Sequence, residues 1–173
     1  MSRVIDEGRN AVRGLRSTAA ADGDLEQVFC RMQQELGIPE AVEFRVIVEG
    51  RARPLHPVTR DDVYRIGREA LSNAVRHSGA QKIEVEIDYS AAHVRLRVRD
   101  NGCGMTDAVV RSGRDGHWGL AGMRERAERI GARLKVWTRA SAGTEVELIV
   151  PAQVAFQPVA AAAAQSGGES ASS

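Results

Sequence analysis

Residues 82–89, KIEVEIDY, and 93–100, HVRLRVRD, alternate apolar and charged side chains. Successive side chains of a strand point to opposite faces. Ile83, Val85, Ile87 and Tyr89 therefore share one face with Val94, Leu96 and Val98, once the two runs pair through the short linker Ser-Ala-Ala. The other face carries Glu84, Glu86 and Asp88 on the first strand and Arg95, Arg97 and Arg99 on the second. An antiparallel hairpin brings the acidic row against the basic row. Such a sheet has one solvated face, and its apolar face has to be covered by something else in the chain.

Helices supply the cover. In LEQVFCRMQQEL, residues 25–36, Leu25, Val28, Phe29, Met32 and Leu36 fall on one side, Asp24 caps the start and Gly37 stops the run. AVEFRVIVEG reads as a strand with Phe44, Val46 and Val48 on one face. After the proline-containing loop RARPLHPVTRDD, Thr59 or Asp61 starts a long helix that reaches about His77. A helix over 119–130 and strands in GARLKVWTR and TEVELIVP complete the order, with Glu145 and Glu147 available to Lys135 and Arg139. The fold class expected is α+β, a two-layer α/β sandwich whose mixed, mostly antiparallel sheet carries its helices on one face. Residues 1–22 read as a charged helix in need of a partner plus a linker, residues 23–151 as the domain, and 152–173 as a disordered Ala/Ser/Gly-rich tail.

Lysine and arginine total 24 and aspartate and glutamate 23 in the 173 residues, a balance that gives no sign of a nucleic-acid or membrane-surface binder. No apolar run approaches a membrane span, and no signal-peptide core follows the N-terminal arginine. Cys30 and Cys103 have neither metal-ligand spacing nor a disulfide framework. The expectation is a soluble cytoplasmic chain without membrane contact, whose parent protein is free to be membrane-anchored.

Three stretches carry chemistry. On the long helix, at about 100° per residue, Val63, Ile66, Ala70, Leu71 and Ala74 form the buried stripe. Glu69, Asn73 and Arg76 form a polar ridge beside it, with His77 at the margin. An acid, an amide and a cation on one ridge suit a metal–phosphate group; they suit a solvated helix face equally well. DNGCGM places Asp100 at a strand end before Gly102 and Gly104, either a plain turn or a seat where backbone N–H groups meet a flat or anionic ligand. GHWGLAGM opens a helix with Gly116, Gly119 and Gly122, either a flexible loop or an anion-binding helix start.

In this order and spacing the three stretches resemble a known family. EALSNAVRHS resembles the N box, DNGCGM the G1 box and GHWGLAGMRERAERIGARLKV the G2 box of the GHKL (Bergerat-fold) ATP-binding domains, and AGTEVELIVP resembles their closing strand. The wording of the last box is most similar to sensor histidine kinases paired with LuxR-type response regulators, and VIDEGRNAVRGLRS resembles the end of the dimerisation helix that precedes their catalytic domain. The resemblance implies ATP and Mg²⁺ as cofactors. It implies Asn73 as the Mg²⁺ ligand, Glu69 as a base or orienting group, and Arg76 and His77 near the phosphates or ribose. Asp100 is implied as acceptor for the adenine amine, with Gly102 and Gly104 letting the base lie flat and Met105 packing under it. His117, Gly119, Leu120, Gly122 and Met123 are implied as lid hinge and phosphate rim, and Thr144 as a partner near adenine through a water.

The implied activity is a protein-histidine kinase, of which this chain is the catalytic, ATP-binding part. None of His56, His77, His93 and His117 is followed by an acid, so the phosphoacceptor is expected on dimerisation helices of a homodimeric parent, with a LuxR-type response regulator as indirect partner. The other readings are a serine kinase of the anti-sigma-factor type, which shares the fold, and a nucleotide-binding module without turnover.

Overall fold

The computed structural model describes residues 25–104 and 118–157. The elements are α1 (Leu25–Glu35), β1 (Glu43–Gly50), α2 (Pro57–Asn73) continued by a π-helical turn (Ala74–Ser78), β2 (Lys82–Tyr89), β3 (His93–Asp100), α3 (Trp118–Arg129), β4 (Arg133–Arg139), β5 (Gly143–Pro151) and α4 (Ala152–Ala155). The sheet order is β1-β2-β3-β5-β4. β1 runs parallel to β2, with α2 as the crossover, and the other pairs are antiparallel. The expected two-layer sandwich is what the chain forms.

The hairpin has the expected register, with Glu84 opposite Arg99, Glu86 opposite Arg97 and Asp88 opposite Arg95. Glu86 is only 8% exposed, covered by Arg95 at 2.9 Å and by Arg97. The further rows differ from expectation. Arg139 lies opposite Gly143, out of reach of either acid, and Glu145 lies opposite Trp137 and meets Arg99 at 3.9 Å instead. Lys135 faces Glu147, but its ammonium sits 5.5 Å from the Trp137 ring centre.

On the other face the core joins Phe29 and Met32 of α1, Val63, Ile66 and Leu71 of α2 and Met123 of α3 to the apolar rows of β2, β3 and β5. Gly67 lets α2 approach closely: a Cβ there would lie 2.4 Å from the Phe29 ring and 2.9 Å from Leu96.

Helix α2 begins at Pro57, not at Thr59 or Asp61. Proline suits the first helical position because that N–H has no partner in any case. The Thr59 hydroxyl donates to the Val154 carbonyl at 2.7 Å, so it ties the helix to α4 rather than capping it. The fold also runs past Pro151. Ala155 and Phe156 are buried, Phe156 bridges Leu55, and the Arg53 guanidinium stacks 3.7 Å over its ring. Phe156, the buried Ala155 and backbone hydrogen bonds to residues 54–56 and 92 thus hold residues 152–157, the first six of the expected tail, against the domain. The expected N-terminal helix and residues 158–173 lie outside the described residues.

Candidate functional site

The long helix does not stay α-helical to His77. After Asn73 it widens into the π turn, and Gly79 ends it in the left-handed region at φ 60°. The wider turn breaks the 100° spacing on which the expected ridge depends. Asn73 and His77 line a cleft, whereas Arg76 is exposed and lies outside its lining. Ser78, buried at the end of the turn, donates to the Ala74 carbonyl at 2.6 Å and accepts from the Ala80 N–H at 3.0 Å.

The cleft lies between this helix end, the sheet and the start of α3. It takes in about 710 Å³ of space, open solvent included. Its floor is two facing pairs of the β3–β5 ladder, Val98 with Val146 and Asp100 with Thr144. Ala70 and Ala74 form one wall, and Gly104, Gly119 and Leu120 the rim. The result is a narrow, largely apolar slot with a carboxylate and a hydroxyl at one end and an amide at its wall. Thr144 shares a hydroxyl–hydroxyl hydrogen bond of 3.1 Å with Thr138.

Asp100 is 6% exposed and accepts from the Gly102 N–H at 2.9 Å. Burial pushes its carboxyl above the ordinary carboxylate range, while the Gly102 and Thr144 backbones and Ser78 pull the other way.

The turn after Asp100 is fastened on three sides. Asn101 Oδ1 accepts from the Gln81 and Lys82 N–H groups at 3.0 and 2.8 Å, Cys103 N–H donates to Ser78 at 2.8 Å, and Ser141 N–H donates to the Cys103 carbonyl at 2.7 Å. Both glycines are needed for this. A Cβ on Gly102 would lie 2.3 Å from the Ser78 carbonyl oxygen, and one on Gly104, at φ 67°, would lie 2.1 Å from that of Arg139. Cys103 itself is exposed, its thiol 3.3 Å from the His77 carbonyl.

Of the residues named from sequence, Asn73, His77, Asp100, Gly104, Gly119, Leu120 and Thr144 converge on the cleft. Glu69 stands behind its rim: a Cβ on Gly119 would lie 2.1 Å from Glu69 Oε1. Gly102 shapes the turn without lining the cleft. Gly122 lies beside the Arg126 side chain, which donates to its carbonyl at 3.1 Å. Met123 is 1% exposed and packs in the core, outside the lining of the cleft. Met105 and His117 lie outside the described residues. Sequence reasoning missed Ser78, Val98 and Val146 as lining residues. The two valines belong to apolar rows, and only the ladder register shows which rungs end under the cleft.

Known proteins with this arrangement agree on its kind. The family model described as histidine kinase-, DNA gyrase B-, and HSP90-like ATPase matches residues 58–154. The nitrate/nitrite sensor protein NarX of Escherichia coli K12 is 36% identical over 112 residues, covering 65% of this chain and 18% of NarX. The sensor protein VraS of Staphylococcus aureus COL is 32% identical over 116 residues, covering 67% of this chain and 33% of VraS. The chain thus spans a third or less of the length of either relative. Among solved structures, the histidine kinase domain of the Erythrobacter litoralis EL346 blue-light activated histidine kinase superposes with a TM-score of 0.60 at 20% identity, over 72% of this chain and 57% of that one. The ATP binding domain of PrrB from Mycobacterium tuberculosis gives 0.56 at 20% identity, over 75% and 94%. Since the family model covers more than half of its residues, the chain belongs to the histidine kinase-, DNA gyrase B- and HSP90-like ATPases.

Proposed function

We propose that the cleft binds Mg·ATP and that this chain is the catalytic domain of a two-component sensor histidine kinase. The observation that supports it most is the slot itself: a buried acid with no cationic partner in contact among the described residues, at one end of an apolar floor, and an amide on the adjoining helix. A purine is flat, apolar on its faces and carries an exocyclic amine. Asp100 accepts that amine, and the Val98–Val146 pair and Gly104 flank the ring. Thr144 takes part through a water.

Among the described residues no group of three His, Cys, Asp or Glu side chains is placed to hold a metal ion. That fits Mg²⁺, which keeps waters and leans on substrate phosphates rather than on a protein cage. Asn73 is the residue to hold it, and the ion would supply neutralisation of the phosphate charge. His77 stands beside the ribose and phosphates, with Arg76 at the outer edge. Gly119 and Leu120 border the phosphates at the helix start, and Glu69 orients the attacking group from behind Gly119. Gly122, Met105 and His117 belong to the same lid in this reading.

The reaction forms a bond from an imidazole nitrogen to the γ-phosphorus and breaks that phosphorus from its bridging oxygen, releasing ADP. The imidazole belongs to a histidine on a dimerisation helix supplied by the parent homodimer, and a LuxR-type response regulator then receives the phosphoryl group. Transfer of this kind needs positioning and charge neutralisation more than covalent help from the domain. Among the described residues no helix is long and apolar enough to cross a membrane, in keeping with work in the cytoplasm.

Calorimetry with and without Mg²⁺ on the wild type, Asn73→Ala and Asp100→Asn tests the site. Asn73→Ala is expected to lose the Mg²⁺-dependent part of the affinity and Asp100→Asn the adenine-dependent part. Equal affinity in all three overturns the assignment. Adding an acceptor helix pair and finding acid-labile phosphate on its histidine tests the activity.

A further inference from the structure

Asp62 is fully buried, at 0% exposure, in the first half of α2. Its two oxygens are gripped by one guanidinium, that of Arg129 at the far end of α3, through Nε at 3.1 Å and through Nη2. Arg129 itself stays largely exposed, its side chain 60% accessible. A two-point grip on a desolvated carboxylate is strong and fixes the geometry of both side chains. The same two helices meet again nearer the cleft, where the Gly119 Cα lies against the Glu69 carboxylate. From Asp62 to Glu69 the contact moves forward along α2 while it moves backward from Arg129 to Gly119, so the helices run antiparallel and are fixed at two points. The two points lie about 15 Å apart along α3.

We infer that the Asp62–Arg129 pair is a positioning device: it sets the register of α3 on α2 and thereby where Gly119 and Leu120 stand in the cleft. A slip of α3 by four residues would bring Glu125 to Asp62, setting a second carboxylate beside a buried one. Arg126, the other cation nearby, is turned onto the Gly122 carbonyl. A slip by a single residue would put a side chain where Gly119 has none, against Glu69. Burying the Asp62 carboxylate offsets much of what its pairing with Arg129 returns, and register is the best-attested use of a buried charge held in this way. The inference rests on the nucleotide reading of the cleft only for its effect on ATP.

The test compares the wild type with Asp62→Leu/Arg129→Leu and with Arg129→Lys, which keeps the charge but loses the two-point grip. Three quantities are read: the melting temperature, the Mg·ATP and adenosine affinities, and the backbone amide resonances of Gly119 and Leu120. The double variant is expected to melt at or above the wild-type temperature, yet to bind ATP at least fivefold more weakly, with adenosine affinity within twofold and both resonances displaced. Arg129→Lys is expected to displace the same resonances less, and it decides the matter if the double variant does not fold. Unmoved Gly119 and Leu120 resonances, with affinity that simply follows stability, overturn the inference. If the wild type binds no ATP, the nucleotide reading falls, and the resonances alone decide the positioning role.

Discussion

The two faces of the sheet each bury a carboxylate, Glu86 on the outer face at 8% exposure and Asp100 on the inner face at 6%. Glu86 is held by the guanidinium groups of Arg95 and Arg97. Among the described residues Asp100 meets uncharged donors and no cation, and it lines a cleft. Both residues sit on the same hairpin, so the difference is not one of local conformation. A buried acid balanced by cations contributes to the fold. A buried acid left with uncharged donors at a cavity wall costs stability and is available to a ligand.

Substitutions that remove one charge at a time sharpen this contrast. The largest effect is expected from Asp100→Asn, where loss of a charged acceptor lowers ATP affinity by about 10–100-fold, on the order of 1.5–3 kcal/mol. Calorimetry reads it, and the melting temperature should stay level or rise. Glu86→Gln should do the reverse, costing roughly 1–2 kcal/mol of stability in denaturant titration by leaving two arginines with a weaker partner, with ATP affinity within twofold. If both variants lose affinity and stability together, the two faces are not separable in this way.

A smaller effect separates the faces by pH. Burial raises the Asp100 carboxyl above its ordinary range, so the folded chain holds that proton more tightly than the unfolded chain. Stability from this group is therefore greatest at acid pH and falls as pH rises from the ordinary carboxylate value through the folded one. The stability gap between Asp100→Asn and the wild type should shrink as pH is lowered through that window, while ATP binding weakens as the acceptor is protonated. Melting curves across pH for both proteins check it. The smallest effect is expected from Cys103→Ser: the thiol is exposed, and the turn is held by the Cys103 backbone. Less than a twofold change in ATP affinity is expected. A larger loss would give the thiol a role at the cleft.

The hairpin was legible because alternation sorts its two faces and the short linker Ser-Ala-Ala limits how far the strands can slip, so the acidic row had to meet the basic one. Asp100, Asn73 and Gly104 stood out only because three ordinary-looking stretches follow one another in a known order; taken singly, each reads as a common strand end, helix face or turn. The π turn was not, since nothing in AVRHS distinguishes a widened turn from an ordinary one, and the ideal wheel therefore carried Arg76 to the wrong side. Asp62 and Arg129 are separated by 67 residues in sequence, and each looks like an ordinary surface charge on its own helix. Met123 was named for the rim through the family resemblance, and only the packing of α3 shows that its side chain fills the core one turn beyond Leu120.

The late strand β5 has a consequence for how the chain is made. It is inserted between β3 and β4, so β3 has an open edge until residues 143–151 arrive. The start of α2 is also incomplete until then, since His56 N–H donates to Ala155 and Gln157 N–H donates to Pro54. At a synthesis rate of ~5–20 residues per second, the half-built sheet waits on the ribosome for several seconds with β3 able to pair with another chain. The row Arg95, Arg97, Arg99, which the finished protein neutralises with acids on both flanking strands, then has acids on one side only. Pairing of that edge with an identical nascent hairpin would set arginine rows against each other, and like charges on facing strands oppose such pairing during the interval when the edge is most exposed.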